Sequence, residues 1–279
     1  MKLRGGIGII SVAIGLAPLA ATQVATVLPP PMMSGPAIHA GTTAPTGADQ
    51  YSINWSGYAA TPSKPVTDVV STFVIPTVAC LGDTPESAVW WVGMDGASDG
   101  TVEQDGVMAY CYGPGEVEYL GWWEMYPTNY VTYFSNETEL AAGDTVTESV
   151  SYATNGKYTL KVSDVTKKLQ ATEMTACASN VTCNRSSAEW IGESPYFTPG
   201  GWSDLPQWKP AVNFYPDQMS VKSNHALSYL GGFVNEPFVM VGSAGVAACE
   251  SVAAQCRAVP STIGRRGRGF ADQWESEAP

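Results

Sequence analysis

Asn155-Gly156-Lys157-Tyr158-Thr159-Leu160-Lys161-Val162-Ser163 is the stretch that decides the fold class. From Lys157 onward polar and apolar residues alternate strictly, the period of a strand with one wet face and one buried face. Asn155-Gly156 is the dipeptide that joins strands into a hairpin, so a partner strand is expected before it, over 145–154. Further out, 72–78, 89–94, 102–109, 118–126, 187–192 and 238–241 are rich in Val, Thr, Tyr and Trp and are separated by Gly, Pro, Asn and Asp. No window of a dozen residues sustains a helical period. Many short strands with regular turns imply an all-β sandwich or barrel, expected as one domain over 51–256.

Composition narrows the chemistry. The chain has 279 residues, 14 Lys+Arg against 26 Asp+Glu, two His and a formal charge of −12. Over 51–256 the count is 8 Lys+Arg against 22 Asp+Glu, so the expected domain is more acidic than the whole. Nucleic acid needs clustered Lys and Arg, and anionic membrane surfaces need them too, so neither is an expected partner. With His39 upstream of the domain, His225 is left alone, and no H-E-x-x-H run exists. No metal or other cofactor is expected, and chemistry must rest on carboxylates, amides and hydroxyls.

The ends read differently from the middle. Lys2 and Arg4 precede an apolar stretch closed by small residues, the layout of a secretory signal peptide over 1–21. Residues 22–50, rich in Pro, Thr, Ala and Gly, read as a propeptide or flexible leader. Residues 257–279 carry Arg257, Arg265, Arg266 and Arg268 and read as a basic solvated tail, with 270–274 as a candidate closing strand. The protein is therefore expected to be secreted and monomeric. Six cysteines in an oxidising compartment suggest disulfides, and sequential pairing is preferred because Cys177 with Cys183 and Cys249 with Cys256 would close short loops.

Three stretches combine aromatics with carboxylates or amides: Glu103-Gln104-Asp105-Gly106, Trp122-Trp123-Glu124-Met125-Tyr126-Pro127 and Ala188-Glu189-Trp190-Ile191-Gly192-Glu193. Alternate strand residues share a face, so Trp122, Glu124 and Tyr126 project together, as do Glu189 and Glu193. Carboxylates beside tryptophans on a sheet are costly to bury unless paired, protonated or functional. A solvated face with Glu outward remains equally open on pattern alone.

Asn54-Trp55-Ser56-Gly57-Tyr58, Ser71-Thr72-Phe73-Val74-Ile75-Pro76-Thr77-Val78, Trp91-Val92-Gly93-Met94-Asp95-Gly96 and these three stretches occur in an order that resembles the glutamic peptidases, or eqolisins. The resemblance covers about 52–245. It implies a sandwich of two curved antiparallel sheets with lectin-like topology and an acid endopeptidase acting on proteins or peptides. It also implies a catalytic glutamine and glutamate on neighbouring strands, carried onto Gln104 and Glu193, with Glu189 as the other candidate glutamate. Trp55, Asp95, Trp122, Glu124 and Tyr126 correspond to cleft and supporting positions, and 126–136 to a cleft-covering loop. Two acidic positions of the family are Met108 and Leu120 here. With carboxyl pKa values near 4, such an enzyme is expected to work best at about pH 2 to 5.

Other classes are weaker fits. An aspartic peptidase would show D-[TS]-G loops, which are absent, and a serine enzyme would have to enlist Ser56 and His225. A glycosidase using Glu124 with Glu193, or a sugar-binding module using Trp122 and Trp123, would have no need of Gln104. N-x-[ST] sequons start at Asn54, Asn136, Asn180 and Asn184.

Overall fold

The computed structural model describes residues 28–41, 45, 47–82, 85–134 and 139–276. The expected signal segment, the start of the leader, Asn136 and the last three residues lie outside these. Among the described residues no helix is long and apolar enough to cross a membrane.

Two large sheets form a sandwich. The smaller has six strands in the order Leu169–Ala176, Lys157–Asp164, Thr145–Tyr152, Asp68–Val74, Gln218–Ser220, Ser228–Tyr229. The deciding stretch behaves as its pattern requires: Tyr158, Leu160 and Val162 are buried while the residues between them are partly or fully exposed. Its hairpin partner pairs Tyr152 with Tyr158, and Gly156 between them takes φ 83°, where a Cβ would be strained.

The eleven-stranded sheet carries the candidate site. Its central order is Asn235–Val241, Trp55–Ala60, Ala188–Glu193, Glu86–Met94, Val102–Gly113, Glu116–Tyr126, all antiparallel. Trp55–Ala60, Glu86–Met94 and Ala188–Glu193 are buried at every residue, so both faces of this sheet are covered. One face packs Trp90, Val92, Val107 and Trp190 against the smaller sheet. The other holds an apolar cluster that includes Trp55, Trp91, Trp122, Ile191 and Phe238. A strand buried on both sides loses its polar alternation, which is why these segments read as apolar and aromatic runs.

Several expectations are corrected. The expected strand 72–78 is two strands, Asp68–Val74 and Thr77–Ala79, in different sheets. Pro76 lies at the break and cannot donate to a ladder. Leu169–Ala176 went unanticipated because it is an edge strand in which only Ala171 is buried. The leader is not a loose tether over its described part. Met32–Met33 pairs with Tyr196–Phe197, and Gln50–Ser52 joins the large sheet in parallel with Asn235–Val241. The C-terminal segment is not a solvated tail either. Cys256–Pro260 and Phe270–Trp274 are adjacent strands of the large sheet, and Arg257 is buried with Nη2 donating to the Ser203 carbonyl at 2.9 Å. The disulfides are Cys80–Cys111, Cys177–Cys183 and Cys249–Cys256, the sequential pairing.

Candidate active site

Gln104 leaves the Val102–Gly113 strand toward the tryptophan-rich outer face, and Glu124 is its Cα partner on the next strand. Glu193 ends the Ala188–Glu193 strand. The two expected catalytic residues are not on neighbouring strands: Glu86–Met94 runs between them. That intervening strand contributes Trp91, whose indole Nε1 donates to Glu193 Oε2 at 2.9 Å.

What joins Gln104 to Glu193 is Ser34, from the leader. Its hydroxyl hydrogen-bonds Glu193 Oε2 and lies 3.3 Å from Gln104 Oε1. The Gln104 amide nitrogen donates to the Ser34 carbonyl and, at 3.1 Å, to Glu124 Oε2. Two acceptors around Nε2 fix which way the amide points. Glu124 Oε2 also accepts the Ser34 backbone N–H at 3.0 Å. Asn54 Nδ2 donates to Glu193 Oε1 at 3.2 Å and to the Pro36 carbonyl at 3.1 Å.

Gln104, Glu124 and Glu193 are all fully buried or nearly so. Burial pushes the Glu193 carboxyl up to about 8, opposed by hydrogen bonds from Ser34, Asn54, Trp91 and the Gly35 backbone N–H. Burial likewise drives Glu124 well above the usual carboxylate range. The Ser34 N–H and the Gln104 amide oppose this shift, and the charge of Glu193 adds to it. A protonated Glu193 can donate to the Ser34 hydroxyl, which then donates to Gln104 Oε1, so one proton relay spans the pair.

The remaining expected residues divide. Trp55 Nε1 donates to the Gly35 carbonyl at 3.0 Å, and its ring meets Trp91 edge-on with centroids 5.0 Å apart. The Tyr126 ring lies over Gly35, 3.3 Å from where a Cβ would stand. Trp122 is buried in the apolar cluster of the same face. Glu189 is buried with neither carboxyl oxygen hydrogen-bonded at ordinary geometry, and it touches none of the atoms around Ser34. Asp95 is used elsewhere than the cleft. At φ 69° its carboxylate accepts the Ser186 N–H at 2.5 Å and the Arg185 N–H at 2.7 Å, clipping a loop.

Sequence reasoning missed three groups. Asn54 was read only as part of a motif and as a sequon, and its full burial leaves no room for a glycan. Trp91 was quoted but given no role. Ser34 lay in a segment dismissed as a leader, and nothing in its immediate sequence marks it. The rejected serine arrangement is absent: Ser56 Oγ bonds Asp272 at 2.5 Å and His225 Nδ1 bonds Asp68 at 2.8 Å. Gly96-Ala97-Ser98-Asp99-Gly100 does spell G-x-S-x-G, but it is a bend between two strands of an antiparallel hairpin, without the helix a nucleophile elbow requires.

A model of the peptidase A4 family matches residues 53–234. The chain is 26% identical over 167 residues to aspergillopepsin-2 of Aspergillus niger, an alignment that spans 53% of this chain and 58% of that protein. Among solved structures, scytalido-glutamic peptidase with a transition state analog inhibitor superposes with a TM-score of 0.63 at 19% identity, covering 79% of this chain and 98% of that one. SCP-B, an eqolisin in complex with the tripeptide Ala-Ile-His, gives 0.58 at 18% over 79% and 98%. Aspergilloglutamic peptidase from A. niger gives 0.51 at 21% over 68% and 99%. At these identities the superpositions establish a shared β-sandwich fold.

Proposed function

The chain belongs to the peptidase A4 family, and from that premise we propose that it is a secreted, monomeric acid endopeptidase whose working groups are Glu193 and Gln104. The observation that carries the reading is the convergence of the Gln104 amide and the Glu193 carboxyl on one stretch of peptide backbone, at Ser34, on a face lined with tryptophans. The complex of SCP-B with a tripeptide supports a cleft that takes extended peptide.

Hydrolysis of a peptide bond needs an activated water, a home for the oxyanion and a proton for the leaving nitrogen. Glu193, when ionised, removes the proton of a water held between its carboxylate and the Gln104 carbonyl. Gln104 Nε2 donates to the oxyanion formed on the substrate carbonyl. Glu193 then returns its proton to the departing nitrogen. Glu124 keeps Nε2 facing the substrate by accepting its second hydrogen, and Asn54 and Trp91 hold the Glu193 carboxyl in place.

With Ser34 removed, water reaches Glu193 and its pKa falls from about 8, so that an ionised fraction exists in acid. The test is release of peptides from an acid-denatured protein by the purified full chain at about pH 2 to 5. Hydrolysis lost in Glu193→Gln and Gln104→Ala, with no sugar released from β-glucans, is the expected result. Full hydrolysis by a folded Glu193→Gln variant would sink the assignment.

A further inference from the structure

Residues 31–40 cross the candidate site as an extended strand, and every carbonyl in its middle has a partner. Pro31 O accepts from the Thr198 N–H and Met32 O from the Val131 N–H, each at 2.9 Å. Gly35 O accepts from Trp55 at 3.0 Å and Pro36 O from Asn54 at 3.1 Å. Ile38 O accepts from the Ile53 N–H at 3.0 Å. Only the Ser34 carbonyl accepts from Gln104. The next nitrogen along, that of Gly35, turns its N–H to the Glu193 carboxyl. One peptide bond thus has its oxygen on the amide and its nitrogen facing the acid.

The flanking residues fit the same register. Met32 is fully buried among Trp91, Trp122, Val131 and Phe197, an apolar pocket for the third residue before this bond. Position 35 lies against the Tyr126 ring, which leaves space only for a glycine directly after it. The Ser34 hydroxyl stands between Glu193 Oε2 and Gln104 Oε1, the place a hydrolytic water would occupy.

We propose that the Ser34–Gly35 bond is a self-processing site, cut by the chain's own cleft and restrained by the Ser34 hydroxyl, which must yield its place to water before the bond can break. The inference rests on the peptidase reading above. In the step, Glu193 takes a proton from water and the hydroxide oxygen bonds to the Ser34 carbonyl carbon. The oxyanion rests on Gln104 Nε2. Collapse breaks the C–N bond while Glu193 protonates the Gly35 nitrogen. One water is consumed, leaving a carboxyl on Ser34 and an amine on Gly35.

The experiment follows intact mass and N-terminal sequence of the full chain after transfer from neutral to acid buffer, alongside hydrolysis of an unrelated denatured protein. A new N-terminus at Gly35 is expected, arising at a rate unchanged by tenfold dilution because the cut is intramolecular. Ser34→Ala, which frees the water position, should process faster by about tenfold, the scale of displacing one well-held water. Gly35→Val should process more slowly, and Glu193→Gln should not process at all.

If the unrelated protein is degraded yet no variant yields an N-terminus at Gly35, the processing site is overturned and the peptidase reading survives. The inference also fails if Ser34→Ala is no faster than wild type, or if the rate rises with concentration. If neither substrate is cut in acid, both readings fall.

Discussion

Gln104 and its neighbours Glu103 and Asp105 leave one strand in opposite directions, and their fates differ. Toward the outer face, the Gln104 amide spends both N–H donors and its carbonyl on Ser34 and Glu124. Toward the smaller sheet, neither Glu103 oxygen nor Asp105 Oδ1 meets a hydrogen-bond partner, and the nearby Glu148 is equally bare. Burial pushes all three carboxyls well above their ordinary range. The charge of Asp95 adds to the shift of Glu103, and that of Asp105 to the shift of Glu148. An outward polar group is satisfied by partners, whereas an inward one is tolerated by keeping its proton. The outer face is therefore organised for chemistry, and the inter-sheet face for a medium in which carboxyls are neutral.

The sharpest way to break this contrast lies on a single strand, at Glu193 and Glu189. Peptide hydrolysis by Glu193→Gln should fall by about 10³-fold or more, since acid–base and positioning losses combine, while Glu189→Gln should lose less than about tenfold. Steady-state rates in acid, with circular dichroism to confirm folding, decide the matter. If the two losses were reversed, Glu189 would be the working acid.

Next in size is Gln104→Ala, expected to lower kcat by about 10²-fold with KM little changed, as for loss of one oxyanion donor. Asp105→Asn, one residue away, should leave kcat within about twofold of wild type, since it touches no atom around Ser34. A matching loss in both variants would show that the two faces are not independent.

The inward carboxyls predict a reversed pH dependence of stability. An acid whose pKa is raised by folding keeps its proton where the unfolded chain has lost it, so the native state binds more protons above about pH 4. Stability is then full below about pH 4 and falls as pH rises through the folded values, about 7 for Asp272 and about 8 for Glu193. Melting temperature should drop by about 10 °C between pH 4 and pH 8. Asp105→Asn should flatten that slope, and a melting temperature that climbed with pH would contradict the account.

The smallest effect expected is at Glu124→Gln. The amide can still accept from Gln104 Nε2, so turnover should fall only about tenfold. Its signature is a changed pH profile, because the charge next to Glu193 is lost. An unchanged profile would mean that Glu124 neither orients the amide nor couples to Glu193.

Much of the fold was legible residue by residue. The alternation at 157–163 and the Asn155-Gly156 turn needed no tertiary information, because side-chain direction in a strand and the positive φ of a hairpin glycine are local properties. Glu103, Gln104 and Asp105 could be singled out for the same reason. The edge strand Leu169–Ala176 was not legible, since an edge with one buried residue writes no pattern. The leader misled for a related reason. Its Pro-rich composition speaks of a chain that cannot build its own core, and says nothing of one that borrows the core of another segment, as Met32 does.

By itself the sequence determined an all-β, acidic, histidine-poor chain with a glutamine and two glutamates on the strands that matter. Periodicity, charge and motif order are all read over short spans, and they survive whatever the remote packing is. Only the tertiary structure decided that Glu193 rather than Glu189 meets Gln104, that a tryptophan strand stands between them, and that Ser34 lies on both. Residues 34, 104 and 193 are brought together by the order of strands in one sheet and by a segment laid across its face. That proximity depends on closure over more than 150 residues, and no local pattern encodes it.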